Sequence, residues 1–418
     1  MEKNTQIPSL RFKGFTDTWE QCELGDLTDL YVGSSFTQEL SSEGKYIVMD
    51  MGSVSQDGYR IELKRTDIKR DVLIKNDLVM PKDDIGGGLI IGKTAHIPTE
   101  NTHLLGDHVF RLRFNTEDGL FMHYLINSNN VNASLKKKVT GSAQLGIRGV
   151  NVKNEIVSIP CVKEQWQIGN LFNNIDSLIT LHQRKYERLV NIKKALLDKM
   201  FPKDGEVIPK LRFKGFADTW EQCKFSEVMD TVTDFVAAGS FADMAENVVY
   251  ESLPDYAQLV RTTDLKSNFL NNNFVYVSKK AFEFLWRVNL DREAIIMPNI
   301  GNCGEIYYVN KEILPYKHNV LGPNAILVRS EKHNNKFLAV SFLSDDFQRR
   351  LKLIVSPNGQ TKFNKTDLKT IDIFTPSTNE QVKVGTLFDS LDSLITLHQR
   401  KYEKLKNIKK ALLKKMFV

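Results

Sequence analysis

The segment 87–94 contains the letters of a nucleotide-binding loop. Its sequence, GGLIIGKT, fits the pattern GxxxxGK[ST], in which backbone amides surround a phosphate while the lysine reaches the terminal phosphates. Three consecutive bulky aliphatic residues would crowd such a loop, and Pro98 follows too soon after Lys93 for the helix that must begin there. The surrounding sequence therefore argues against an NTPase.

A second set of letters matches the core of a nuclease. Asp255 after a proline, followed by Asp264 and Lys266, resembles the pattern PD-(D/E)xK. The pattern is loose enough to occur by chance, and the other copy of the repeat described below has no equivalent residues. These letters therefore do not predict a nuclease.

Histidine and cysteine spacing does not predict a metal site. The histidines of the first half lack HExxH or a similar ligand spacing: His96, His103, His108 and His123. The four cysteines contain no CxxC pair, so neither a zinc site nor a disulfide framework is expected. The N-terminus has no apolar signal region, and no run of about 18 apolar residues occurs. We therefore expect a cytoplasmic protein without a membrane segment.

The 418-residue chain contains a long internal repeat. Residues 8–24, PSLRFKGFTDTWEQCEL, recur as PKLRFKGFADTWEQCKF at 209–225, with 13 of 17 positions identical. Residues 171–201 recur at 387–417, with 25 of 31 positions identical. The chain is therefore a tandem duplication of one large unit. Each copy consists of a short conserved segment (the stub, 8–24 and 209–225), a variable region and a helix.

The variable regions, 25–160 and 226–376, have diverged almost completely. Both mix short β-branched runs with Gly- and Asn-rich turns and with helical stretches such as 119–128 and 335–353. A few positions still correspond between the two regions, and DLVMP in the first copy matches AIIMP in the second. We predict two mixed α/β domains in an α+β protein. The two domains are expected to share one fold and to differ in their surface residues.

Residues 164–201 carry a heptad pattern of apolar residues, and the second copy repeats it. Further apolar residues lie three positions after a heptad position, such as Leu178 and Ile192, or four positions after one, such as Phe172 and Ile179. Thirty-eight helical residues make a rod of about 57 Å. Two such helices are predicted to form an antiparallel coiled coil with pseudo-two-fold symmetry, in which the two histidines set the register. The predicted interface positions are Ile175, His182, Leu189, Leu196, Leu391, His398, Leu405 and Leu412.

Positive charge is concentrated on the two helices. Residues 181–201 contain six Lys or Arg against two acids, and residues 397–418 contain eight against one. The whole chain has 57 Lys plus Arg against 51 Asp plus Glu. A solvated outer face of the helix pair explains these charges, and attraction to phosphates or to an acidic partner is the alternative.

The order of parts resembles the specificity subunit of type I restriction-modification systems. The stub LRFKGFxDTWEQC before each variable region and the helix LITLHQRKYExLxNIKKALLxKMF after it carry the resemblance, which covers essentially the whole chain. It implies two target recognition domains, at 1–160 and 209–376, each reading one half of a bipartite double-stranded DNA site. It also implies conserved spacer helices at 161–208 and 377–418.

The resemblance implies partners and cofactors as well. Two modification subunits would dock on the helices, bind S-adenosylmethionine and methylate adenine at N6. Restriction subunits would add ATP-driven translocation and cleavage with Mg²⁺, whereas this chain would hold no cofactor and no catalytic residue. Half-sites one duplex turn apart need readers about 34–36 Å apart, a spacing that a rod of about 57 Å can set.

The polar segment before the last strand of each variable region is predicted to read bases. Amide, hydroxyl and cationic side chains match the donors and acceptors on base edges. The candidates are Ser142, Gln144 and Arg148 in the first copy and Asn358, Gln360 and Lys362 in the second. The neighbouring lysines are predicted to meet backbone phosphate or solvent: Lys136, Lys137 and Lys138.

Two other classes of function stay open at this point. A coiled-coil adaptor would use the variable domains to bind proteins, and its binding need not weaken steeply with salt as phosphate-dominated binding does. A self-sufficient NTPase or nuclease would need Lys93, or Asp255 with Asp264 and Lys266, for activity of the purified chain.

Overall fold

The computed structural model describes residues 7–141, 144–203, 205–270, 273–356, 359 and 361–418. The chain forms two compact units. Unit 1 comprises Met1–Arg184 together with Gln399–Val418, and unit 2 comprises Lys185–His398. Each unit therefore contains one variable region, the beginning of one long helix and the end of the other.

Unit 1 is built from short strands and short helices that precede the first long helix. Its strands are β1 (Glu20–Glu23), β2 (Thr28–Val32), β3 (Tyr46–Met49), β4 (Lys64–Thr66), β5 (Leu78–Pro81), β6 (Asp83–Asp84), β7 (Ala95–His96), β8 (His103–Leu105), β9 (Val109–Phe114), β10 (Leu145–Gly146) and β11 (Ile156–Ile159). Its helices are α1 (Leu24–Leu27), α2 (Gly119–Asn127), α3 (Asn129–Lys137), α4 (Gly149–Lys153) and the first part of α5 (Val162–Met200).

Unit 2 has a similar succession of elements with additional helices, and an isolated bridge between Ile300 and Lys362 takes the place of the β6–β10 pairing. Its strands are β12 (Glu221–Lys224), β13 (Thr231–Asp234), β14 (Ala257–Val260), β15 (Val275–Val277), β16 (Ala294–Pro298), β17 (Tyr307–Val309), β18 (Asn319–Leu321), β19 (Ala325–Arg329) and β20 (Asp372–Thr375). Its helices are α6 (Phe225–Val228), α7 (Phe241–Asn247), α8 (Thr262–Lys266), α9 (Lys279–Phe284), α10 (Asn335–Ser341), α11 (Asp345–Ile354), α12 (Lys365–Leu368) and the first part of α13 (Thr378–Met416).

The same sheet plan occurs in both units. Unit 1 contains an antiparallel sheet in the order β2-β9-β5-β7 and a sheet in the order β4-β3-β8, in which β3 and β8 run parallel. Unit 2 repeats this plan with β13-β19-β16-β17 and β15-β14-β18, and β14 and β18 run parallel. In each unit the stub strand pairs with the strand before a long helix, β1 with β11 and β12 with β20. The α+β fold and the predicted duplication are confirmed.

The matching sequences DLVMP and AIIMP form the buried strands β5 and β16. Successive side chains of a strand point to opposite faces of the sheet. Leu78 and Met80 therefore enter one hydrophobic core of unit 1, whereas Val79 enters another. In the same way, Ile295 and Ile296 enter two different cores of unit 2. An apolar run survives in both copies because each strand is covered on both faces.

The stretch 335–353 forms two helices rather than one. Helix α10 ends at Ser341, and α11 begins at Asp345. Ser344 caps α11, since its hydroxyl accepts a hydrogen bond from the backbone amide of Phe347 at 3.4 Å. A capping residue has non-helical backbone angles, and the chain therefore turns at this point.

The repeated stub fastens the start of one long helix through its arginine. In unit 1, Arg11 donates two hydrogen bonds to Glu164 near the start of α5, at 2.9 and 2.6 Å. In unit 2, Arg212 binds Glu380 near the start of α13 in the same bidentate way, at 2.8 and 2.6 Å. Both carboxylates are buried. The repeated stub therefore makes the same ion pair in each unit.

The two long helices run antiparallel within unit 1. Phe172 of α5 stacks on Phe417, which follows the end of α13, with 5.7 Å between ring centroids. Further along α5, Asp176 accepts hydrogen bonds from Lys409, which lies earlier on α13, at 2.6 and 2.8 Å. Moving forward on one helix therefore corresponds to moving backward on the other, as predicted.

Unit 2 repeats the antiparallel arrangement with exchanged roles. The ring of Phe388 on α13 lies 6.2 Å from that of Phe201, which follows α5. Further along α13, Asp392 accepts a hydrogen bond from Lys193 of α5 at 2.5 Å. These four residues are the counterparts, at an offset of 216 positions, of those that make the same contacts in unit 1.

The apolar stripe of the helices is narrower than the heptad pattern suggests. Phe172 and Ile179 are buried, whereas Leu178 and Ile192 are 44% and 38% exposed. The prediction that residues three positions on from the heptad sites join the apolar stripe is therefore wrong for Leu178 and Ile192, because an antiparallel partner covers one side of the stripe, whereas Leu171 packs against the core of unit 1. Of the predicted interface positions, two are buried and six are half-buried: Ile175 and Leu391, then His182, Leu189, Leu196, His398, Leu405 and Leu412.

Candidate nucleic-acid interface

A short hairpin precedes the last strand of unit 1. Thr140 and Gly146 exchange backbone hydrogen bonds of 2.9 and 2.8 Å. Gly146 also pairs with Asp83, in the segment that follows the buried strand β5. We call residues 140–146 the first hairpin. The base of this segment is held by hydrogen bonds between backbone groups, which do not depend on side chains.

The end residues of the equivalent segment in unit 2 also pair, and we call residues 356–362 the second hairpin. Ser356 and Lys362 form a bridge, in which the amide of Ser356 donates to the carbonyl of Lys362 at 2.9 Å. Lys362 also bridges Ile300, in the segment that follows β16. Ser356 and Lys362 lie 216 positions after the residues that close the first hairpin. The two segments therefore differ in sequence but are closed by an antiparallel bridge at equivalent positions.

A glycine-rich loop, residues 85–92, lies beside the first hairpin. The buried carboxylate of Asp84 holds the base of this loop by accepting hydrogen bonds from the amides of Gly86 and Ile90, at 2.6 and 3.3 Å. Ile85, the first residue of the loop, is 72% exposed. Sequence reasoning did not assign this loop to the site, although the match between DLVMP and AIIMP indicated that a loop follows the same strand in both copies.

The candidates of the first copy lie on and around the first hairpin. Gln144 is exposed on the hairpin itself. Lys136 and Lys137 are exposed in the last turn of α3, just before it. Arg148 is exposed at the residue before α4, and its side chain makes no capping bond. Ser142 lies outside the described residues.

The second copy uses the position equivalent to Arg148 differently. This residue is Asn364, which caps α12 by accepting a hydrogen bond from the amide of Asp367 at 2.8 Å. Lys362 is exposed at the base of the second hairpin. Asn358 and Gln360 lie outside the described residues. Equivalent backbone positions thus carry different chemistry in the two units.

Lys138 does not belong with its two lysine neighbours. Its Nζ lies 2.7 Å from the carboxylate of Glu155 and donates to the carbonyl of Asn154 at 3.2 Å. The prediction that Lys138 meets phosphate or solvent is therefore wrong, because this side chain joins α3 to the turn before β11.

The residues of the nucleotide-binding pattern adopt another structure. Lys93 and Thr94 lead directly into β7 instead of opening a helix. The ammonium group of Lys93 donates to the carbonyl of Asn127 at 3.3 Å. No phosphate-binding helix N-terminus is present at the lysine, which agrees with the argument from sequence.

Two residues of the nuclease pattern make contacts with different partners. Asp264 is buried and binds Arg261 at 2.8 Å. Lys266 pairs with Glu305 at 2.6 Å. The described structure therefore engages these two residues with different partners.

The histidines of unit 1 include two that burial keeps neutral. Burial lowers the pKa of His96 to about 4 and holds the pKa of His123 well below its usual range. His123 is also hydrogen-bonded, at 3.2 Å to the hydroxyl of Thr94. Among the described residues, no group of three or more His, Cys, Asp or Glu side chains is placed to hold a metal ion.

The long helices are too polar to span a bilayer. Across the residues that the structure describes, no helix combines the length and the apolar character that a membrane crossing needs.

The duplicated units and their differing hairpins define a scaffold that presents two variable binding surfaces. The family model for the type I restriction modification DNA specificity domain matches residues 16–191 and 254–407. These two matches cover one copy each and most of the chain. The chain therefore belongs to the type I restriction-modification DNA specificity family, as its repeated stub and helix predicted.

Relatives of similar length exist among characterised sequences and structures. The chain is 22% identical to the type I restriction enzyme MjaVIII specificity subunit of Methanocaldococcus jannaschii, over 95% of this chain and 91% of that protein. It is 21% identical to the putative MjaX specificity subunit of the same organism, over 95% and 92%. The crystal structure of a type I restriction-modification S subunit from M. genitalium has the same fold, with a TM-score of 0.64, 17% identity and 99% of both chains covered.

Proposed function

We propose that this chain reads a bipartite double-stranded DNA site, one half with each unit, and directs partner subunits to methylate adenine and to restrict DNA. The observation that carries the proposal is the pair of hairpins. Their closing residues lie at the same offset of 216 positions and form an antiparallel bridge in both units, whereas their sequences differ. One frame with two sets of polar side chains suits two different half-sites.

The exposed side chains near the hairpins suit contacts with DNA. Phosphate contacts position a protein on the duplex, and contacts with base edges specify the sequence. Lys136 and Lys137 carry uniform positive charge at the end of α3, whereas Gln144 and Arg148 offer directional hydrogen bonds. We assign the two lysines to phosphate and the other two residues to bases.

The helices offer equivalent surfaces for two identical partners. Unit 1 exposes Leu178, Leu181 and Ile408. Unit 2 exposes their counterparts at an offset of 216 positions, Leu394, Leu397 and Ile192. Apolar groups that recur in this way suit the docking of two modification subunits. We place S-adenosylmethionine, and the ATP and Mg²⁺ used by restriction subunits, on those partners.

Sequencing of modified DNA tests the proposal directly. We expect N6-methyladenine to appear in one split motif with a fixed gap when this chain is expressed with its modification subunit. The control is the modification subunit expressed alone, which we expect to leave the motif unmethylated. An unchanged methylation pattern, together with binding of the purified chain to DNA that does not weaken with salt, would favour the adaptor function instead.

Gln144→Ala is expected to relax the sequence requirement at one base pair of one half-site. A bidentate contact between an amide and adenine contributes about 1–3 kcal/mol of discrimination, which corresponds to roughly 5- to 150-fold. The matched control is Lys136→Gln, which we expect to weaken binding to all sequences alike. Methylation rates on substrates with single base changes measure both effects, and an unaltered preference in the Gln144 variant contradicts its assignment.

A further inference from the structure

Unit 1 contains a basic groove whose lining residues lie outside the first hairpin. Its walls come from the variable region, from α5 and from the last part of α13, all within unit 1. Two acidic side chains line it, Asp57 and Glu62, against six cationic ones. The cations are Arg60, Lys93, Arg184, Lys406, Lys409 and Lys410.

Two of these cations are neutralised within the protein. Lys409 is paired with Asp176, at 2.6 and 2.8 Å, and Arg60 is paired with Glu62 at 3.0 Å. In the described part of the chain, the other four have no carboxylate oxygen within 4.0 Å. The groove therefore has a surplus of positive charge.

Lys93 is the least solvated of the unpaired cations. It is half-buried, and its ammonium group donates to the carbonyl of Asn127 at 3.3 Å. Burial lowers the pKa of Lys93, and the positive charge of Lys136 lowers it further. An anion in the groove would favour the charged form of Lys93.

Unit 2 carries only part of this charge, so the shared scaffold does not require all of it. Lys93 lies two residues before Ala95, which pairs with β5, and Glu305 lies two residues before Tyr307, which pairs with β16 in the same register. The counterpart of Lys406 is Val190, at an offset of 216 positions. A lysine in the first copy is thus replaced by a glutamate in the second, and another lysine by a valine.

The groove is continuous with the surroundings of the first hairpin. Helix α3 begins at Asn129, which lines the groove, and ends at Lys137, just before the hairpin. Nine helical residues span about 13 Å. The positive charge of Lys136 also lowers the pKa of Lys93, which lines the groove. Cationic side chains therefore follow one path from the hairpin into the groove.

We propose that this groove binds the phosphate backbone of the DNA duplex whose bases the first hairpin reads. The inference rests on the proposed function and extends the DNA interface from the variable region of unit 1 onto the helices. Lys93, Lys406 and Lys410 face the phosphates, whereas Lys409 keeps its pairing with Asp176. Unit 2 makes no equivalent contact.

The salt dependence of DNA binding tests the groove. The probe is a random-sequence duplex of about 30 bp, roughly three helical turns, bound to the full chain. Each phosphate contact that is lost lowers the slope of log K against log salt by about 0.9. For Lys93→Gln/Lys406→Gln/Lys410→Gln we expect a slope lower by about 2–3 than that of the wild type.

A matched control removes the same charge elsewhere. Lys163→Gln/Lys194→Gln/Lys199→Gln replaces three exposed helix lysines that do not line the groove, and Lys194 is the counterpart of Lys410. We expect this control to change the slope little. Lys406→Gln/Lys410→Gln alters exposed positions only and is expected to fold normally, with a slope lower by about 2.

The outcomes separate this inference from the proposed function. A wild-type chain whose DNA binding does not depend on salt contradicts both. A wild type that binds with a steep slope, and groove variants that lose no more slope than the control, overturns the groove alone. Groove variants that bind DNA normally but no longer bind the modification subunit also overturn it, since the groove would then be a protein interface.

Discussion

Replacement of residues 226–376 by the corresponding region of another family member is expected to change one half of the methylated DNA site and to preserve the other. The replaced region lies entirely within unit 2. It contains the second hairpin and its bridge to Ile300, so the new side chains arrive with their own supporting backbone. The stub residue Arg212 and its partner Glu380 lie outside it and still fasten α13.

Sequencing of N6-methyladenine in cells that express the hybrid with the modification subunit measures this result. The matched control is the reciprocal exchange of residues 25–160, which is expected to change the other half-site. Changes in both half-sites from either exchange would show that the units do not read DNA independently. The shared strand pairing of β12 with β20 uses backbone groups and is expected to form with the new sequence.

Arg212→Met is expected to destabilise unit 2 by about 3–5 kcal/mol, because it leaves a buried carboxylate without its partner. The side chain of Glu380 is 1% exposed, and that of Arg212 is 10% exposed. The bidentate bond to Glu380 also raises the pKa of Arg212, which remains charged throughout the range of normal assays. For a unit of this size, the loss corresponds to a fall in melting temperature of roughly 10 °C.

Thermal unfolding and hydrogen exchange measure the consequence of this change. Exchange is expected to accelerate at β12 and β20 of unit 2. Arg11→Met is the matched control, since it breaks the equivalent pair with Glu164 and is expected to accelerate exchange in unit 1. Arg212→Met/Glu380→Leu removes both charges and should recover much of the stability. A single variant as stable as the wild type would contradict a structural role for the pair.

Much of the fold could be predicted because its signals are local or repeated. The heptad pattern predicted both helices to within two residues of their observed starts. The apolar runs DLVMP and AIIMP predicted strands that the structure buries on both faces. The single helix expected at 335–353 was wrong because a serine cap outweighed the continuous helical composition.

The candidate site could be predicted only in part. Gln144 and Arg148 could be placed before the last strand of the first copy because a polar segment precedes that strand, and their contact with bases stays a prediction. The ion pair that occupies Lys138 was not identifiable, since Glu155 lies 17 positions away and their meeting depends on the turn between α4 and β11. The difference between Arg148 and its capping counterpart Asn364 likewise became apparent only from the backbone geometry.

The sequence by itself predicted the duplication, the family and the position of both hairpin segments. These features depend on repeats and strand boundaries, which are visible in the types of neighbouring residues. Long-range packing was needed for the rest. It established that each unit combines the beginning of one helix with the end of the other, and that Arg11 meets a glutamate 153 positions away. It also brought Lys93 to the lysines of α13, more than 300 positions later. Such proximity arises when the apolar faces of distant segments are buried together, and no local pattern encodes which segments those are.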